Sequence, residues 1–115
     1  MNNEAMTPLD LLALETTGSR MHPIVVVRGE IDVASSPVLR AELAALLGGG
    51  ARSITLDLGA VSFIDSSGLG VLVGALKRLR DGDGGTFNIV DVRDPVRRVF
   101  EITGLDQLFV LNCSS

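Results

Sequence analysis

Asp65, Ser66 and Ser67 stand in a row where the apolar run Val61-Ser62-Phe63-Ile64 ends and Gly68-Leu69-Gly70-Val71-Leu72 begins with helix-like spacing. An acid and two hydroxyls at such a corner can do one of three things. They can cap the helix, since a Ser or Asp oxygen accepts from the unpaired N–H groups of the first turn, a contribution of about 1 kcal/mol. A serine can also be modified. A helix start carries a partial positive charge and free N–H groups, so it tolerates a phosphate, and adding or removing that phosphate would act as a switch. Hydrolysis, the third use, needs a base such as histidine within hydrogen-bond reach of the serine. The chain's one histidine, His22, falls beside Pro23 in an expected hairpin loop. Ile64-Asp65-Ser66-Ser67-Gly68 also lacks the first glycine of a G-x-S-x-G elbow. No catalytic residue is therefore assigned.

Gly29-Glu30-Ile31-Asp32 follows a valine-rich run and reads as a turn with solvated acids, or as part of the same site. If the strands before Asp32 and Asp65 are parallel, both acids come to the carboxyl edge of the sheet, where open α/β folds carry their sites. Two carboxylates there would repel a phosphate or attract a cation, but two acids alone make a weak metal site. A lone His22 and a lone Cys113 exclude a zinc site of the usual kind, so neither metal nor cofactor is assigned. Gly68, Gly70 and Gly74 fall within the helical pattern, where each costs up to about 1 kcal/mol relative to alanine. They fit either tight helix–sheet packing or a smooth surface for a partner's backbone. Gly68-Leu69-Gly70 lacks the third glycine and the lysine of phosphate-cradling loops. Asp81-Gly82-Asp83-Gly84-Gly85 lacks the bidentate glutamate of a calcium loop and reads as a plain connection.

The whole chain narrows the function classes. Its 115 residues suit one domain, 1–115, with a core over about 9–111. Hydrophobic residues make up 46%, which argues for a folded chain, while aromatics are only 3%, so Leu, Val, Ile and Ala must build the core. With no Trp or Tyr and a net charge of −4, neither nucleic acid nor an anionic membrane is an expected partner. The single cysteine fits a reducing compartment. Met1 to Asp10 has no basic head, and no apolar run approaches the roughly 20 residues of a membrane span. A cytoplasmic location is expected.

These groups need elements to position them. Leu9 to Thr16 reads as a strand or short helix, Thr17-Gly18-Ser19-Arg20 as a turn, and Ile24 to Val27 as a strand buried on both faces. Ser35-Ser36-Pro37 predicts a helix with a serine cap and proline first, ended by Gly48-Gly49-Gly50. Ile54, Leu56 and Leu58 alternate with Ser53, Thr55 and Asp57, a strand with one polar face. Leu69, Leu72, Val73 and Leu76 mark the helix after the corner, closed by Lys77, Arg78 and Arg80. A strand over Thr86 to Val90 follows, then a helix from Asp94 as cap and Pro95 to Gly104, and a last short strand over Leu108 to Leu111. The order β-β-α-β-α-β-α-β predicts an α/β fold: a mixed central sheet, opened by an antiparallel hairpin, with helices mainly on one face.

Four segments together carry a family resemblance: Gly29-Glu30-Ile31-Asp32, Leu56-Asp57-Leu58, Phe63 to Leu72 and Val96-Arg97-Arg98-Val99-Phe100-Glu101-Ile102-Thr103-Gly104-Leu105. They resemble the STAS domain of bacterial anti-sigma factor antagonists, over about Leu9 to Leu111 and least over the first strand and Thr17 to Pro23. The resemblance implies a phospho-regulated binding module and not an enzyme. Unmodified, it would bind an anti-sigma factor that is also a serine kinase with a GHKL-type ATP fold, and so release a sigma factor. The kinase would phosphorylate Ser66, directly after the motif acid, and a PP2C-type phosphatase would reverse this. Asp32, Asp65, Ser66, Ser67, Gly68, Leu69 and Gly70 are the implied partner-binding and switch residues. The alternative within the same fold is a STAS subunit of a lipid or ion transport complex.

Overall fold

The structure, a computed structural model, describes residues 12–82 and 84–113. Five strands form one sheet in the order of the chain: β1 (Leu12–Gly18), β2 (Pro23–Ile31), β3 (Ser53–Ile64), β4 (Thr86–Val92) and β5 (Val110–Cys113). β1 pairs antiparallel with β2, and β2 to β5 are parallel. The helices α1 (Ser36–Gly48), α2 (Ser66–Asp81) and α3 (Asp94–Thr103) fill the three crossovers. Crossovers of one hand stepping in one direction place their helices on one face of the sheet. The expected mixed sheet is thus present. The part of the opening segment before Leu12 lies outside the described residues, as does Asp83 of the loop after α2.

Several local expectations need correction. The turn after β1 falls two residues later than Thr17–Arg20: Thr17 and Gly18 pair with Ile24 and Pro23, leaving residues 19–22 to connect the strands. β2 is not buried on both faces. Val25, Val27 and Ile31 are fully buried, whereas Ile24 is 40% exposed and Arg28 is exposed. Its apolar run hides a period-two strand because the sheet's outer face has no helix over it among the described residues. Ser35 is the N-cap of α1 by position only; its side chain makes no cap bond, and Pro37 is the second helical residue. In α3 the cap position falls on Arg93, with Asp94 inside the first turn, where its charge suits the helix dipole and it pairs with Arg97 at 2.8 Å.

β3 carries the chain to the corner. Ile54, Leu56 and Leu58 are buried at period two, but Leu58, Val61 and Ile64 are buried three apart. The pairing of β2 with β3 shifts twice, between Val26 and Arg28 and between Gly29 and Glu30. Each shift inserts an extra β3 residue and reverses the side-chain alternation, so all three apolar residues face the helices. Leu39 and Leu43 of α1 and Leu69, Leu72, Leu76 and Leu79 of α2 complete this core. Phe109 meets Phe87 and Phe100 edge-on, with ring centroids 5.5 and 5.9 Å apart, tying α3 to β4. No helix among the described residues is long and apolar enough to cross a membrane.

Candidate functional site

The parallel pairing of β2 and β3 ends with Ile31 beside Ile64, and the Asp65 N–H donates to the Ile31 carbonyl at 3.1 Å. Asp32 and Asp65 therefore leave the sheet side by side at its carboxyl edge, as parallel strands require. Their carboxylates do different work. Asp32 Oδ1 accepts from the N–H groups of Ala34 and Ser35, both at 3.0 Å. The Ser35 hydroxyl donates to the Glu30 carbonyl at 2.6 Å and accepts from the Asp32 N–H at 2.9 Å. Asp32 and Ser35 thus clasp the loop between β2 and α1 from both ends. Ser35 is 2% exposed, so these bonds are shielded from water. This role is not legible in the sequence, where a serine two residues before a proline also reads as a helix cap.

Asp65 is the true cap of α2. Its Oδ1 accepts from the N–H of Ser67 at 2.9 Å and of Gly68 at 3.3 Å. The Ser67 hydroxyl donates to the same oxygen at 2.5 Å. That hydroxyl bond, more than the two backbone bonds, holds the Asp65 carboxyl below the ordinary carboxylate range, against a smaller opposing effect of burial. The two serines are consequently unlike. Ser67 is committed to Asp65, while Ser66 is exposed and its hydroxyl has no partner among the described residues. The helix mouth expected to receive a phosphate is already filled: the N–H groups of Ser67 and Gly68 belong to Asp65.

The glycines divide as well. A Cβ on Gly68 would run into Ile31 Cγ2 and lie 2.9 Å from Ile64 Cγ1, so Gly68 lets α2 settle on the ends of β2 and β3. Leu69 is 4% exposed and belongs to the core. Gly68 and Leu69 therefore hold the corner in place, one by leaving room for Ile31 and Ile64 and the other by its place in the core. Gly70 is exposed, with open space where a Cβ would be. Two exposed apolar residues flank the edge: Val33, 75% exposed in the clasped loop, and Phe63, 46% exposed beside Glu30. His22 bonds Ser53 at 2.7 Å at the start of β3, and Ser66 follows its far end, roughly 35 Å away at strand rise. No group of three metal-ligating side chains occurs among the described residues.

A family model for the STAS domain matches residues 13–115, which include the clasped loop, the corner and all three helices. The chain belongs to the STAS-domain family. This STAS domain is 42% identical over 101 residues to an anti-sigma-B factor antagonist of Staphylococcus aureus, covering 88% of this chain and 93% of the relative. It is 40% identical over 91 residues to the anti-sigma-B factor antagonist of Bacillus subtilis, covering 79% and 82%. Among solved structures, an anti-sigma factor antagonist from Mycobacterium paratuberculosis superposes with a TM-score of 0.82 at 29% identity, covering 96% of this chain and 92% of that one. The resemblance read from the sequence holds for family and fold.

Proposed function

We propose that this STAS domain is an anti-sigma factor antagonist whose binding is switched at Ser66. Unmodified, it binds an anti-sigma factor with serine kinase activity and a GHKL-type ATP fold, and the sigma factor is set free. ATP belongs to that partner; this chain is the substrate and performs no catalysis. The kinase phosphorylates Ser66, a PP2C-type phosphatase removes the phosphate, and the exchange takes place in the cytoplasm. The observation that carries the choice of serine is the contrast at the corner: Ser66 is exposed with a free hydroxyl, and Ser67 is bonded to Asp65. Kinship with anti-sigma-B factor antagonists supports the partner class.

The same geometry supports a mechanism at the interface. A phosphate adds about −1.5 to −2 charges next to Asp65 and Asp32. Because it sits outside the hydrogen bonds that define the cap, the fold survives it. Pressed against a partner it would be a desolvated, unpaired charge, which costs about 3–5 kcal/mol. The test mixes the protein with kinase-type anti-sigma factors from the same genome and ATP, then maps the phosphate by mass spectrometry in wild type, Ser66→Ala and Ser67→Ala. Phosphate on Ser66 in wild type and Ser67→Ala, and none in Ser66→Ala, is expected. Phosphate at the corner of Ser66→Ala would refute the assignment.

A further inference from the structure

α1 and α2 pack side by side, and a groove of about 280 Å³ runs between their outward faces. Ala44 and Leu47 wall it on the α1 side, Gly70 and Gly74 on the α2 side, and Arg40 and Arg78 stand at its rim. The two glycines are four residues apart, so they lie one above the other on one helix face. Glycine is a poor helix former, and the internal reason that holds for Gly68 fails here: nothing lies within 4 Å of a Cβ at Gly70 or Gly74. The bare strip is not needed to seat α2 on the sheet. The rim is also unusual for a chain with net charge −4, because both of its charged side chains are arginines. Neither Arg40 nor Arg78 makes an ion pair among the described residues. A half-open furrow with bare walls suits a row of side chains from a docked helix, whose axis can approach closely over glycine.

We infer that the groove between α1 and α2 receives an acidic amphipathic helix of the anti-sigma factor, apolar side chains over Gly70 and Gly74 and carboxylates on Arg40 and Arg78. The partner's identity rests on the function proposed above; the groove's chemistry does not. Gly70 is one helical turn from Ser66, so a helix lying there extends the contact surface away from the switch. The guanidinium rim supplies charge complementarity and fixes the direction of docking. The chain then has two electrostatically opposite contact regions, an acidic edge at Asp32 and Asp65 and a basic furrow beside it.

The test measures affinity for the anti-sigma factor by calorimetric titration of full-length wild type, Gly74→Ala, Gly74→Leu and Arg40→Gln/Arg78→Gln, with melting curves and sedimentation of each protein alone. Gly74→Ala should melt higher than wild type yet bind about threefold more weakly. Gly74→Leu should keep a cooperative melt and lose at least tenfold in affinity. The double arginine variant should bind about tenfold more weakly and show a flatter dependence of affinity on salt. Wild-type affinity retained in Gly74→Leu and in the arginine variant would overturn the groove and leave the proposed function standing. Absence of binding by wild type itself would instead overturn the proposed function, and the occupant with it. A dimer of wild type that Gly74→Leu abolishes would assign the furrow to a second copy and also overturn the inference.

Discussion

Asp65 carries three bonds on one carboxylate oxygen, from the N–H groups of Ser67 and Gly68 and from the Ser67 hydroxyl. Asp65→Ala should lower stability by about 1 kcal/mol at pH 7, read from urea unfolding. The pH dependence has a definite sign. The folded carboxyl titrates below its unfolded value. Its stabilisation is therefore complete above the unfolded value and is lost as pH falls through the lower folded one. Wild type and Asp65→Ala should converge in acid, and a gap that stays constant down to pH 2 would contradict the cap. Ser67→Ala removes the largest cause of the shift, so the Asp65 titration followed by NMR should move upward. Ser66 is free of this network. Ser66→Ala should bind the anti-sigma factor constitutively and Ser66→Glu should bind it more weakly, both with near-wild-type melting. Much of this site was legible in the sequence, because an acid and two serines between an apolar run and a helical pattern define a corner whatever the rest of the chain does. The division of labour was not legible. Which serine is tied, and that Asp32 and Ser35 clasp their own loop, depends on side-chain directions that types and spacing leave open.

At the scale of elements, the corner depends on how closely α2 meets the strand ends. Gly68→Ala adds a Cβ that collides with Ile31 and Ile64. Overpacking of this kind costs about 1–3 kcal/mol, more than alanine's better helix propensity returns. A lower urea midpoint is the expected outcome, and an unchanged or higher midpoint would show that α2 does not rest on those side chains. β3 explains where sequence periodicity stops informing. Ile54, Leu56 and Leu58 announce a strand by alternation, but Leu58, Val61 and Ile64 stand three apart, a spacing that resembles a helix. The two register shifts against β2 produce it. Bulges depend on the neighbouring strand and leave no signature in the bulged segment alone. The exposed side of β2 has the same origin: Ile24-Val25-Val26-Val27 is apolar throughout, and only the position of the helices decides which residues are buried.

For the whole molecule, strand order equals chain order, so both acidic loops emerge at one edge while the helices line one face. Ser66, Asp32 and the exposed Val33 and Phe63 share that edge, which separates the proposed switch from the core beneath it. A phosphate at Ser66 should accordingly change stability by less than about 1 kcal/mol, a shift of roughly 4–8 °C at most in melting temperature. The measurement that bears most directly on the switch is a titration of the anti-sigma factor with unphosphorylated and Ser66-phosphorylated protein at equal ionic strength. An unpaired buried charge of about 3 kcal/mol predicts at least about a 100-fold loss of affinity on phosphorylation. Equal affinity of the two forms would contradict a switch at Ser66.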